Sequence, residues 1–497
     1  MSTQSTHPLD PIFHPRAVAV VGVSSQQRGP MGGFYQSLLE AGFPEIGGLY
    51  PVNPKVNEID GKRCYPSLLE TPDPVDHVIS MVPARAVPEL VDQCIAKKVR
   101  SIHLFTAGFS ETGDEVMAAA ERDAIAKLQR AGIRAIGPNC MGLYVPSSRL
   151  AFMNGFPMEA GNVFLLSQSG ANAGEIVGEL AGRGVRFSKA ISYGNGADLK
   201  AHDFFDYAAS DPETEVVAAY IEGVQDGRAF YEALKRCARV KRTIVLKGGL
   251  TQSGSRAAHS HTGSLAGSSE IFDAVCRQTG AMRAETMDEL QDLVVAASTN
   301  TCHIKGTGVA MMAGGGGGFA VLSADAIDRE GLVVPRMPAE AVRRMREFIP
   351  VAGSSVNNPI DAMPDDEHAD EMLRIVATAE GIDMVFMGPM VSRNRMAAQR
   401  PSAAGQPASE EMSKAMVEAS KEAAVQMRRL QDETGVPVVG IQRSGRMARM
   451  MGMASDAFNL ATYEQGIGTY PSVARAAHTI AQVRRWREYR EGLPDLL

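Results

Sequence analysis

No stretch of this chain approaches the roughly 18 uninterrupted apolar residues that a membrane helix needs, so no membrane-spanning helix is expected. The N-terminal MSTQSTHPLDPIFHP has no apolar core flanked by positive charge, and we expect no signal peptide. No CxxC pair occurs: Cys64, Cys94, Cys140, Cys237, Cys276 and Cys302 are scattered. They are expected to be reduced thiols in a cytoplasmic protein, not a disulfide or zinc framework. Basic excess is also missing. A net charge of −7 with only the short run Arg484, Arg485, Arg487 argues against a nucleic-acid surface.

What is present is the balance of a globular protein, 44% hydrophobic and 22% charged over 497 residues, too many for one core. Short β-branched runs alternate with helical patterns, the signature of α/β architecture with parallel sheets. Strands are expected at 17–21, 48–52, 75–81, 101–105 and 133–136, with helices around 34–41 and 114–130. A second block opens with the strand 162–166, continues through 217–220 and 243–246, and ends in a helix over 287–298. A third opens at 308–312, followed by five consecutive glycines, Gly314–Gly318, and a helix to about Arg329; later strands are expected at 384–387 and 436–442. The Ala-, Ser-, Pro- and Gln-rich segment 395–410 reads as a surface loop.

Glycine-rich turns after strands are where chemistry is expected. Gly22-Val-Ser-Ser-Gln-Gln-Arg-Gly29 follows the first strand, where glycines let backbone approach a phosphate and Ser24 and Ser25 offer donors. The spacing is not GxGxxG, and no acid ends the second strand. Tyr50-Pro-Val-Asn-Pro-Lys55 stands there instead, which disfavours a NAD ribose and suits a phosphorylated one such as that of CoA. Gly137-Pro-Asn-Cys-Met-Gly142 reads as a domain-joining turn or a pocket mouth. Ser167-Gln-Ser-Gly170 sits at a helix start, where free amides face an anion; it lacks the GxSxG form of a hydrolase elbow. Glu222 ends an apolar strand at the edge where ligands gather, and reads either as a strand-end cap or as a carboxylate able to orient an imidazole. His259 and His261 lie in a glycine- and serine-rich loop. Zinc there lacks further ligands nearby, while a phosphoryl acceptor needs only the imidazole. The five-glycine run lacks the GK[ST] of a P-loop.

In their order, PRAVAVVGVSS, YPVNPK, AGFSETG, GPNCMG, LLSQSG, ISYGNGADL, YIEG, SHTGSLAG and NNPIDA resemble the α subunits of ADP-forming acetyl-CoA synthetases, a succinyl-CoA synthetase-like superfamily, across about residues 11–480. The chain departs from that pattern at Gly314–Gly318, where GGPG is usual, and in the 395–410 insertion. The resemblance implies a Rossmann-like CoA-binding domain over 1–142, then two flavodoxin-like α/β domains: a ligase domain with the phosphohistidine loop over 143–304 and a second ligase-like domain over 305–497. It places the phosphohistidine at His261 and its orienting glutamate at Glu222, with phosphate held by Ser169, Gly170, Thr262 and Gly263. CoA contacts fall to Gly22, Ser24, Ser25, Gly29, Lys55, Pro83, Asn139 and Cys140, with no metal of its own. ATP or ADP and Mg²⁺ are implied on a separate ATP-grasp β subunit, in a heterotetramer acting on a small carboxylic acid. A CoA-binding relative without turnover, or an acyl-group transferase, is the alternative.

Overall fold

The run AVAVV at Ala17–Val21 (β1) is buried at every position, as a strand must be when helices cover both faces of its sheet. The computed structural model describes residues 7–24, 33–254, 256, 268–314, 316–389, 410–442 and 446–492, with the backbone alone for 410–413, 416 and 446–454. The chain divides into two compact units, residues 1–181 with 186–290, and residues 182–185 with 291–497. Among the described residues, no helix is long and apolar enough to cross a membrane.

In the first unit, β1 is joined by Gly48–Val52 (β2), His77–Ser80 (β3), Ser101–Leu104 (β4) and Arg134–Ile136 (β5). They form a five-stranded sheet of order β2-β1-β3-β4-β5, with every neighbouring pair parallel. Helices Phe34–Glu40 (α1), Val87–Lys97 (α2) and Glu115–Arg130 (α3) make connections. The start of α3 is set by Asp114, whose carboxylate accepts the Val116 amide at 2.8 Å, satisfying a donor that the first turn leaves without a partner. Its Ala124, Ile125 and Leu128 pack with Val91, Val78 and Ile102 in one core.

The second sheet of this unit contains Gly142–Tyr144 (β6), Val163–Ser167 (β7), Phe187–Ser192 (β8), Val216–Ile221 (β9), Arg242–Lys247 (β10) and Met282–Ala284 (β11). Its order is β11-β10-β9-β7-β8-β6. All pairs are parallel except β8 with β6. Helices Gly170–Gly182 (α4), Ala201–Ser210 (α5), Gly227–Val240 (α6) and Ser269–Thr279 (α7) follow β7, β8, β9 and β10. Reading apolar runs passes over β8, because Lys189 interrupts it. That lysine is fully buried, and its ammonium is held by Asp211 at 2.8 Å and Glu213 at 2.7 Å, which is what permits a charge inside the strand.

Two motifs lace the two sheets together. The amides of Asn195 and Ala197 donate to the carbonyls of Pro138 and Gly137, both at 3.0 Å, and the Met141 amide donates to Ser192 Oγ at 3.1 Å. The buried Asp198 carboxylate accepts from Gln129 Nε2 and the Ala135 amide at 2.8 Å and from Arg134 Nε at 2.9 Å.

The second unit holds a parallel sheet of Val309–Met312 (β12), Met384–Met387 (β13), Val438–Ile441 (β14) and Thr469–Tyr470 (β15), in that order. The glycine run leads from β12 into Gly317–Arg329 (α8). Met345, Met372, Met427 and Phe458 belong to its core. Asp292 is buried between Arg183, at 2.8 Å, and Arg475, at 2.6 Å.

Candidate active site at two sheet edges

Each sheet of the first unit has a parallel strand, β1 in one and β7 in the other, flanked on both sides by later strands, so a crevice opens where successive loops diverge beyond the strands' C-terminal ends. In the first sheet this point lies between β1 and β3. Gly22 has φ 94°, and a Cβ there would stand 3.0 Å from the Met81 carbonyl carbon. Only glycine lets the turn leaving β1 press against the one leaving β3. Asn53 shapes the exit of β2, donating to the Val23 carbonyl at 2.6 Å and accepting the Lys55 amide at 2.8 Å. Lys55 and Pro83 are exposed, and Ser24 is half-buried. Asn139 takes φ 58°, and its amide donates to the Thr106 carbonyl at 3.0 Å. Cys140 is buried, its thiol directed at the Leu104 carbonyl at 3.7 Å and pushed up by burial. Gly22, Ser24, Lys55, Pro83, Asn139 and Cys140 thus lie in the turns that follow the strands of one sheet. Ser25 and Gly29 lie outside the described residues.

The second sheet has its crevice between β7 and β9. Ser169 caps α4: its Oγ accepts the Asn172 amide at 3.3 Å, and its own amide donates to Ser167 Oγ at 3.2 Å. A Cβ on Gly170 would lie 2.5 Å from Met141 Cγ, so glycine is needed for the 137–142 turn to lie against the start of α4. Across from it, Glu222 follows β9 and is 8% exposed. The Tyr220 hydroxyl lies beside the Glu222 carboxylate and Asn172; burial, with that carboxylate, pushes its pKa up to about 12. The carboxylate therefore lies near the first turn of α4, where the helix carries partial positive charge.

The backbone of Glu222 is held too. Gln168 Oε1 accepts the amides of Glu222 and, at 2.8 Å, Gly223. Lys247 Nζ donates to the carbonyls of Glu222 and Gly248, both at 2.6 Å. Burial lowers the pKa of this lysine against the opposing pull of Glu222. Beside the turn, Gln168, Tyr193, Asn195, Lys200, Gly223 and Asp226 help line a shallow crevice. Tyr193 Oη is buried there without a hydrogen-bond partner among the described residues, and burial raises its pKa well above the ordinary tyrosine value. Asn195 Nδ2 donates to Glu111 Oε2 at 2.8 Å, which brings the AGFSETG turn to the same edge.

His259, His261, Thr262 and Gly263 lie outside the described residues, so the structure brings together Ser169, Gly170 and Glu222 of the expected phosphate site and is silent on the rest. Gln168, Tyr220 and Lys247 were not singled out in the sequence. The available signal was a lysine closing an otherwise apolar strand, TIVLK. Among the described residues there is no group of three or more His, Cys, Asp or Glu side chains able to hold a metal.

Comparison with known proteins agrees with this layout. The family described as CoA binding domain matches residues 16–146, and the family described as succinyl-CoA ligase like flavodoxin domain matches residues 160–297. The chain is 38% identical over 353 residues to the acetate–CoA ligase [ADP-forming] II subunit alpha of Pyrococcus furiosus, covering 71% of this chain and 76% of that one. It is 38% identical over 381 residues to acetate–CoA ligase [ADP-forming] I of Archaeoglobus fulgidus, covering 76% of this chain and 54% of the relative. The chain thus spans about half the length of that longer relative. A solved structure, the dinucleotide forming acetyl-coenzyme A synthetase 1 of Candidatus Korarchaeum cryptofilum in complex with phosphate and ADP, superposes with a TM-score of 0.75 at 28% identity, covering 97% of both chains.

Proposed function

Because the chain belongs to the family of α subunits of ADP-forming acetate–CoA ligases, we propose that it is the CoA-binding, phosphohistidine-carrying half of an acid–CoA ligase. The reaction runs reversibly. Phosphate displaces CoA from an acyl-CoA to give an acyl phosphate; the phosphoryl group passes to His261 and frees the carboxylic acid; ADP then takes it and becomes ATP. ADP, ATP and Mg²⁺ belong on an ATP-grasp partner, in an assembly of two copies of each subunit.

One observation carries the reading. Glu222, buried after β9, and the Ser169-capped first turn of α4 share the switch point of a sheet. That pair supplies what a phosphohistidine needs: a carboxylate to fix the ring tautomer and helix amides to spread phosphate charge. The first sheet's edge fits CoA. The glycine turn after β1, packed against the exit of β3, lets a pyrophosphate approach the backbone at the crevice, and exposed Lys55 can meet the 3′-phosphate. Within this chain, Glu222 orients the imidazole, Ser169 and Gly170 bind the transferred group, and burial around Glu222 excludes water from the acyl phosphate.

The test is an acid-labile, base-stable label on this chain after incubation with its partner and γ-labelled ATP. His261→Ala removes the label and His259→Ala keeps it. Label that survives in His261→Ala but is lost in His259→Ala overturns the assignment. Wild type that never takes label moves the chain to a CoA-binding relative without turnover.

A further inference from the structure

Gln168 and Lys247 hold opposite ends of one peptide segment, and neither has a role in the reaction described above. Gln168 is 7% and Lys247 8% exposed. Gln168 comes from the exit of β7, and its own amide donates to the Tyr220 carbonyl at 3.0 Å. Its side-chain oxygen takes the two amides that follow β9. Lys247 comes from the end of β10 and takes the Glu222 carbonyl from the other side, together with Gly248's. A buried ammonium satisfied by two carbonyls is a costly arrangement to maintain for packing alone, since an apolar side chain of the same length would fill the space without desolvating a charge. Three neighbouring strands thus meet on Glu222.

We propose that Gln168 and Lys247 are positioning residues that fix the Glu222 backbone, so that its carboxylate is presented to the acceptor histidine in one orientation. This rests on the function proposed above. Oriented partners of a reacting group change rates by about 10- to 100-fold when removed, because the group then samples unproductive orientations. Gln168→Met removes the accepting oxygen at similar volume, Gln168→Glu keeps an oxygen there, and Lys247→Met keeps the stem without donors.

The experiment measures single-turnover labelling of the chain with its partner and γ-labelled ATP, alongside CoA affinity by calorimetry and hydrogen exchange of the peptide covering 220–226. Gln168→Met and Lys247→Met are expected to slow labelling by at least about tenfold, with CoA affinity within twofold of wild type. Gln168→Met also speeds exchange at 220–226, and Gln168→Glu recovers most of the lost rate. In a Glu222→Ala background, Lys247→Met adds less than about threefold, because the residue it positions is gone. Unchanged labelling in both methionine variants overturns the positioning role while leaving the proposed function standing. An equal tenfold loss in the Glu222→Ala background also overturns it. Unlabelled wild type removes the function and this role together.

Discussion

The two sheets of the first unit share a topological rule and apply it differently. At the first sheet's edge the turns are set by a close backbone approach, Gly22 against Met81, and by the Asn53 side chain donating to the Val23 carbonyl, and Lys55 and Pro83 stand exposed. At the second sheet's edge, side chains from two strands hold the backbone that follows a third, and Gln168, Glu222 and Lys247 are all under 9% exposed. An edge that binds a flexible, multiply charged molecule needs reachable donors. An edge that directs a covalent transfer needs one orientation and little water. The contrast predicts that substitutions at the second edge act on rate and those at the first on affinity.

The largest effect expected is at the braced edge. Glu222→Gln keeps size and hydrogen-bonding capacity but loses the charge that favours the reactive imidazole. Phosphorylation measured by rapid quench should slow by about a thousandfold, within the range for loss of a positioned base. CoA affinity should stay within twofold. A comparable fall in CoA affinity would break the division of labour between the edges.

The join between the sheets comes next. Asp198 is 8% exposed and accepts from Gln129, Arg134 and the Ala135 amide. Asp198→Ala leaves those donors facing a void, at a cost of about 3–5 kcal/mol. Thermal unfolding should shift down by several degrees, and the two sheets should cease to melt together. A single unchanged transition would show that the backbone bonds between 135–138 and 195–199 suffice.

Beneath the first sheet, His77 and His103 line a cavity with Phe34, Leu38, Met141 and Phe152. Burial lowers His77 to about 3, helped by His103, and lowers His103 to about 4 against the Cys140 carbonyl. Both folded values lie below the unfolded 6.5, so the unfolded chain binds more protons between those limits. Their contribution is complete above pH 6.5, falls as pH drops through that window and levels off below 3. At pH 4 the loss is about 3 kcal/mol for each histidine. In urea melts, His103→Gln should be less sensitive than wild type to lowering the pH from 6.5 to 4. Equal slopes would place protonation elsewhere.

The sheets themselves were legible because parallel strands buried on both faces are continuous apolar runs: β1, β7, β9 and β13 stand where the pattern puts them. β8 was not, because Lys189 draws its partners from the loop after α5. Ser169, Gly170 and Glu222 could be named because each sits beside a strand end with a recognisable turn. Gln168 and Lys247 could not, since what each holds lies 54 and 25 residues away and one strand of lateral distance is invisible along the chain. Short motifs mark where chemistry is; the bracing that aims it is a property of strand order.

The smallest effect tests the first edge at its most exposed point. Lys55 projects from a turn whose shape is set by Asn53, not by the lysine, so Lys55→Met should leave the fold and its melting temperature unaltered. Its contribution is one solvent-exposed cation meeting one phosphate, an interaction worth about 0.2–1 kcal/mol and weakened by salt. That corresponds to a loss of up to about fivefold in CoA affinity at low ionic strength, shrinking as salt is added. Dephospho-CoA, which lacks the 3′-phosphate, should bind wild type and Lys55→Met equally well. Calorimetry with both ligands and both proteins closes the cycle: the substitution should cost affinity only when the 3′-phosphate is present. A loss of the same size with dephospho-CoA would move Lys55 to the pyrophosphate or to the turn itself, and the first edge would then bind CoA by shape more than by charge.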